Sequence, residues 1–294
     1  MAKILGLSVS RYRRLLVVAS MLLIAGCATP PPIKQTVAPA KPKIGLALGG
    51  GAARGFAHIG VIKMLESQGI IADYVVGTSA GAVVGALYAG GNDAYAMQKV
   101  AIQLDEKIFA DWTLGGRGLL KGEALQDFIN LHLNKRPLEK LNKPFATVAT
   151  DLNSGERVVF RSGDTGMAVR ASAAVPGVFQ PVQFRGHTYV DGGLTSPVPV
   201  QAAREMGADF VIAVDISTPA NGQPIDSFSA ILWQTTTIMG GIISKNELRE
   251  ADIVIRPKLP YVKSWDFTAR HEAVLEGERA AQAALPLIRQ KLGR

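Results

Sequence analysis

A serine, an aspartate and two glycine-rich turns carry the spacing needed to attack an ester carbonyl. Ser79 stands in Gly77-Thr78-Ser79-Ala80-Gly81, between the apolar run Tyr74–Val76 and small, apolar residues at helical spacing. That order predicts a strand, a sharp turn and a helix, with the hydroxyl exposed at the helix N-terminus. Gly77 and Gly81 leave no side chain beside the serine, so the backbone can turn tightly. Amides at the helix start, that of Ser79 and its neighbours, favour negative charge developing on an attacked carbonyl oxygen. A short GxSxG string also arises by chance in a chain with 31 glycines. The flanking strand and helix pattern is what makes this one a nucleophile elbow.

A second turn of the same kind precedes it. The apolar run Ile44–Leu48 leads into Gly49-Gly50-Gly51-Ala52-Ala53-Arg54-Gly55, followed by a helix from Phe56 that stops at Gly69. Such a turn exposes backbone amides to an anion. A dinucleotide fingerprint fails here, because Ala52 and Arg54 fall where glycines are required, and no lysine followed by serine or threonine completes a P-loop. The remaining reading is an oxyanion hole for Ser79, since consecutive strand-to-helix turns lie together at the carboxyl edge of a sheet.

Asp191 is the candidate base. Val182–Phe184 and Thr188–Val190 flank Arg185-Gly186-His187 as a hairpin, which delivers Asp191-Gly192-Gly193. The glycines allow close approach to a serine, although an Asp-Gly pair also makes an ordinary turn. The four histidines are His58, His132, His187 and His271. The chain order of α/β-hydrolases would combine Ser79, Asp191 or Asp215, and His271. His271 opens a charged helix with nothing local to place its ring, and His58 lies within the first helix, as structural histidines do.

The elements that must position these groups alternate. Phe145–Thr150 and Arg157–Arg161 form a hairpin, and Asp209–Ile216 and Asp252–Ile255 read as further strands. Helices follow Asn92 or Asp93, Gly122, Asp164 and Pro199, and cover Phe228–Lys245 and His271–Leu292. Alternation of this kind predicts a mostly parallel sheet with helices on both faces. The apolar, glycine-hinged stretch Ile108–Leu120 reads as a lid, a membrane-touching surface or a buried connection.

From about Lys43 into the 260s the chain resembles the patatin-like phospholipases. The resemblance rests on Gly50-Gly51-Ala52-Ala53-Arg54-Gly55, on Gly77 to Gly81, on Asp191-Gly192-Gly193, and on Ala171-Ser172-Ala173-Ala174-Val175-Pro176. It implies a three-layer α/β/α fold with a mostly parallel central sheet. It also implies a Ser-Asp dyad, in which Ser79 attacks an ester carbonyl and Asp191 takes the serine proton directly. Amides around Gly50, Gly51 and Ala52 would hold the oxyanion, with Arg54 fixing the loop. The implied activity is that of a serine lipid acyl hydrolase of the phospholipase A or lysophospholipase type, without metal or cofactor. Ala52 departs from the family, which usually has glycine there, and a positive φ would strain it. A Ser-His-Asp esterase and a non-catalytic lipid-binding lipoprotein remain as alternatives.

The first 26 residues differ from the body. Lys3, Arg11, Arg13 and Arg14 precede an apolar or small run, Leu15–Gly26, too short for about 30 Å of hydrocarbon and suited to a signal-peptide core. Cys27, the single cysteine, follows Leu23-Ile24-Ala25-Gly26, which resembles the lipobox of bacterial lipoproteins. That resemblance implies acylation of Cys27, removal of residues 1–26 and anchoring in the bacterial envelope, with Ala28 after the cysteine favouring the outer membrane. Residues 27–42 then form the acylated cysteine and a Pro-rich tether, and residues 43–294 a single catalytic domain. Four of the 32 basic residues and none of the 24 acidic ones precede Cys27, leaving a mild excess of four positive charges. The excess suits an anionic lipid surface, while the lack of a basic run or aromatic ladder argues against nucleic acid. The expected partners are membrane phospholipid, or another ester lipid, and the membrane itself.

Overall fold

A computed structural model describes residues 41–104, 111, 119–220, 225–263 and 266–293. Cys27, residues 1–26 expected as a signal peptide, all of the expected tether but Lys41 and Pro42, and most of the Ile108–Leu120 stretch lie outside those residues.

Eight strands form the centre: β1 (Ile44–Leu48), β2 (Tyr74–Thr78), β3 (Phe145–Asp151), β4 (Arg157–Phe160), β5 (Val182–Phe184), β6 (His187–Asp191), β7 (Phe210–Val214) and β8 (Ile253–Ile255). Side chains alternate across β1, β2, β3 and β7 because successive residues of a strand point to opposite faces. Ile44, Leu46, Leu48, Val75, Phe145 and Ile212 pack into one core, whereas Ala47, Val76, Ala146, Val148 and Ala213 pack into another. Both faces are therefore covered, which is why these strands read as unbroken apolar runs. The larger core receives α1 (Phe56–Ser67), α2 (Ala80–Ala89), α3 (Ala94–Gln103), α4 (Glu123–His132) and α8 (Arg270–Leu292). The smaller receives α6 (Val200–Glu205). The result is three layers. Two further helices are α5 (Thr165–Ser172) and α7 (Phe228–Glu247). Of the two candidate caps for α3, Asp93 is the one used, accepting from the Ala96 amide at 2.7 Å.

Strands pair in the order β5-β6-β3-β2-β1-β7-β8, with β4 added to β3. The pairs β1–β2, β1–β7, β2–β3 and β7–β8 are parallel, and β3–β4, β3–β6 and β5–β6 are antiparallel. The register of β3 decides how the site is assembled. β4 occupies one edge of β3 over Thr147–Thr150. The other edge is shared by β2, which pairs Thr78 with Val148, and by β6, which pairs Asp191 with Ala149. β2 and β6 run in opposite directions along that edge and meet head-on. The residues following Thr78 and ending β6 are thereby brought together on neighbouring rungs.

Candidate active site

Ser79 is the hinge between β2 and α2, with φ +55° and ψ −120°. Non-glycine residues adopt a positive φ only where the surroundings force it, and nucleophile elbows are such places. The turn is tight enough that a Cβ at Gly81 would lie 2.1 Å from the Leu48 carbonyl oxygen. Gly77 occupies the penultimate position of β2, opposite Leu48 and Thr147. Gly192 is held as closely as Gly81: a Cβ there would come within 2.2 Å of the Val148 carbonyl oxygen. Asp191 follows from that approach, since its backbone must run alongside the end of β2.

Ser79 Oγ donates to Asp191 Oδ2 at 2.6 Å, and both residues are buried. Asp191 Oδ1 accepts from the Gly193 amide at 2.7 Å, so the second glycine of the motif orients the carboxylate. Its backbone is fixed by Thr150 Oγ1, which donates to the Asp191 carbonyl at 3.0 Å. Burial raises the Asp191 carboxyl to about 6, against the hydrogen bonds from Ser79 and Gly193. A carboxylate tuned upward and touching a hydroxyl can accept its proton.

The amides around the serine divide into committed and uncommitted ones. The Ser79 amide donates to Ser172 Oγ at 2.9 Å, and Ser172 Oγ donates to the Val148 carbonyl at 2.6 Å. It is not available to a substrate, contrary to the expectation for the serine's own amide. The family resemblance implies Gly50 as a donor, but its amide is bound to the Pro197 carbonyl at 2.9 Å. The amides of Gly51, Ala52 and Ala80 donate to no group among the described residues. Ala80 is the first residue of α2, where an amide has no partner within its own helix. Ala52 has φ +49°, the strained value foreseen for alanine at that place.

The resemblance places Arg54 in the oxyanion loop and implies that it fixes the loop. Its guanidinium turns away from Ser79. It donates to the carbonyls of Val262 at 3.1 Å, Ser217 at 2.8 Å and Leu259 at 3.1 Å. Burial lowers its pKa and Asp215 opposes that shift. Arg54 is thus a clamp joining the glycine loop to the segments that follow β7 and β8. His58 braces the same loop from below, with Nε2 at 2.8 Å from the Gly49 carbonyl. Burial lowers its pKa to about 4, so the ring is neutral and donates there.

The other histidines are elsewhere. His132 Nδ1 meets the Phe128 carbonyl, His187 Nδ1 meets Asp151 Oδ2 at 2.6 Å, and His271 is exposed at the start of α8. Asp215 is bound to Arg256 and Ser217. None of the described histidines bonds to Ser79, so the arrangement offered by α/β-hydrolase chain order is not assembled.

Beside Ser79 lies an apolar cavity of about 110 Å³. Ala52, Ser79 and Ala80 form its polar end, so two of the uncommitted amides belong to residues bordering it. Phe56, Val83, Met97, Leu125, Phe128 and Phe179 are among its walls. Ser172 has no assigned part in the sequence reading. Ser172 lay inside the Ala171–Pro176 segment already singled out, but nothing local told that its hydroxyl would reach the elbow.

The model of the patatin-like phospholipases matches residues 46–204, more than half of the 294 residues. The chain belongs to the patatin-like phospholipase family. Within the match lie the glycine loop, Ser79 and Asp191, the parts that meet in space. Among curated relatives, an uncharacterized NTE family protein of Mycobacterium tuberculosis is 37% identical over 188 residues, covering 63% of this chain and 52% of that protein. Patatin-like phospholipase domain-containing protein 6 of Homo sapiens is 35% identical over 183 residues, covering 60% of this chain and 13% of that one. The chain thus spans about half of the mycobacterial relative and a small part of the human one. Among solved structures, full-length ExoU with SpcU from the type III secretion system of Pseudomonas aeruginosa superposes with TM-score 0.50 at 13% identity. That match covers 86% of this chain and 53% of the other, and it concerns the patatin-like fold alone.

Proposed function

We propose that the chain is a lipid acyl hydrolase of the phospholipase A or lysophospholipase type, working through Ser79 and Asp191. The observation that carries this is the 2.6 Å Ser79–Asp191 hydrogen bond at the polar end of an apolar cavity. In the first step Ser79 Oγ bonds to the ester carbonyl carbon while its proton passes to Asp191 Oδ2. The carbonyl oxygen becomes an oxyanion beside the amides of Ala80, Ala52 and Gly51. Collapse breaks the bond to the alcohol portion, which leaves with the proton from Asp191. A water molecule then gives a proton to Asp191 and attacks the acyl-serine; collapse breaks the bond to Ser79 Oγ, which takes that proton back from Asp191, and the fatty acid is released. General-base action contributes about 10²- to 10⁴-fold, and each oxyanion donor about 10²- to 10³-fold.

The cavity walls suit the acyl chain rather than the head group, since they are aliphatic and aromatic. Membrane lipid is the proposed substrate. Anchoring through acylated Cys27 on the bacterial envelope, with the outer membrane as the site, is part of the same proposal and rests on the sequence at 15–28. The experiment is release of free fatty acid from diacyl and monoacyl phospholipids in mixed micelles by the purified chain and by Ser79→Ala. Release abolished by the substitution supports the proposal, and equal release by both proteins refutes it. Loss of radiolabelled palmitate incorporation in Cys27→Ser tests the anchor separately.

A further inference from the structure

α7 is built inside out for a helix that faces water. Phe228, Ile231, Leu232, Ile238, Met239 and Ile242 recur at helical spacing on one face, and that face is exposed: Phe228 is 79% exposed, Met239 56% and Ile242 60%. Only Thr235 interrupts the stripe. The opposite face, turned to the body, carries Ala230, Trp233, Thr237, Gly240, Ser244 and Glu247. Glu247 Oε1 accepts from Ser196 Oγ at 2.7 Å, and the Ser196 carbonyl accepts from Thr78 Oγ1 at 2.8 Å, one residue before Ser79. Near its middle the helix rests on the aspartate motif, since a Cβ on Gly240 would lie 3.9 Å from the Gly193 carbonyl oxygen.

A surface helix of a soluble body normally shows its polar side to solvent. A contiguous apolar face of this size marks a contact surface. We infer that the outer face of α7 lies in the lipid surface from which substrate is drawn. Three observations favour lipid over a protein partner. The helix has no ionisable residue between Asp226 and Lys245, so the face offers a partner no charge pairing. Four of its six outer side chains are Ile or Leu, and that face lacks the Tyr, Trp and Arg that dominate protein hot spots. And the helix packs against the aspartate motif through Gly240, so a lipid surface on its outer face lies one helix thickness from Asp191. No helix among the described residues is long and apolar enough to cross a membrane, so α7 lies on the surface and does not span it.

This inference rests on the hydrolase reading for the identity of the surface, and its test separates the two. In the full chain carrying Cys27→Ser, a bimane label is placed on Ile238→Cys or, on α8, on Leu287→Cys. Vesicles of equimolar phosphatidylcholine and phosphatidylglycerol bearing nitroxide lipids are added. Quenching at residue 238 well above that at 287 is expected, and it requires no turnover. Equal quenching at both positions, or none at 238, overturns the inference. Activity supplies the second readout. The triple variant Ile238→Ser, Met239→Ser, Ile242→Ser is expected to lose at least about tenfold of phospholipid hydrolysis on vesicles, while a soluble short-chain ester is turned over as before. Equal loss on both substrates overturns the inference, as does conversion of a dimer to a monomer by the triple variant. Absence of any ester turnover in the parent protein refutes the hydrolase reading alone, because the quenching result stands without it.

Discussion

Ser79 and Asp191 are 112 residues apart in the chain and 2.6 Å apart in space, hydroxyl to carboxylate, with no third side chain between them. The contact is a product of register on β3. One edge of that strand receives β2 from below and β6 from above, so Thr78 and Asp191 sit opposite Val148 and Ala149. Each of the two motif glycines with least room, Gly81 and Gly192, faces a carbonyl of β1 or β3 at a separation that no side chain could occupy.

The protonation state of Asp191 sets the pH dependence. Burial raises its carboxyl from 3.8 to about 6. Below that pH the group is protonated and cannot accept the serine proton; above it the group is ionised and can. Plots of kcat/KM against pH for a soluble ester are therefore expected to rise through an acid limb near 6, and a limb near 4 would contradict the assignment.

No histidine bonds to Ser79 or Asp191 among the described residues. His271→Ala and His187→Ala are each expected to leave kcat/KM for a short-chain ester unchanged, measured by steady-state hydrolysis. A large loss in either variant would restore an imidazole base.

Strain at Ala52 is testable by relieving it. With φ at +49°, alanine carries the left-handed penalty that glycine avoids. Glycine also loses more entropy on folding, a smaller effect. Ala52→Gly is expected to stabilise the protein by about 0.5–1 kcal/mol in urea unfolding, the net of those two terms. A destabilised variant would mean that alanine fits its site without strain.

Much of this was readable in the sequence. The elbow, the glycine turn and the aspartate hairpin each carried a local signature of turn residues between apolar runs, and local signatures survive folding. What was not legible depended on distant partners. Nothing around Gly50 told that the Pro197 carbonyl would take its amide, and nothing around Arg54 told that its guanidinium would turn to the carbonyls of Ser217, Leu259 and Val262. The cavity was equally hidden, because Val83, Met97 and Leu125 have the same periodicity whether they fill a core or line a groove. Alternation of elements foretold the parallel half of the sheet, but not the antiparallel β6 that brings Asp191 in head-on.

Glu247 gives a stability signature of its own. It is buried, and burial raises its carboxyl from 4.5 to about 7, with the Ser196 hydrogen bond and Arg157 acting in the opposite sense. A raised acid contributes stability below its unfolded pKa and loses it as pH rises through the folded value. Glu247→Gln keeps an acceptor for Ser196 and cannot ionise. Its stability is expected to match the parent near pH 4.5 and to exceed it by roughly 3 kcal/mol above pH 7, in urea denaturation at the two pH values. A constant gap would place the carboxyl in a less buried environment.

The rate at which a fluorophosphonate modifies Ser79, followed by intact-protein and peptide mass spectrometry, tests the hydroxyl–carboxylate pair most directly. The expected result is a single adduct on Ser79, formed faster as pH rises through about 6 and slowed about 10²- to 10⁴-fold in Asp191→Asn without loss of thermal stability. An adduct on another residue, or labelling of Ser79 that is undiminished in Asp191→Asn, would contradict it.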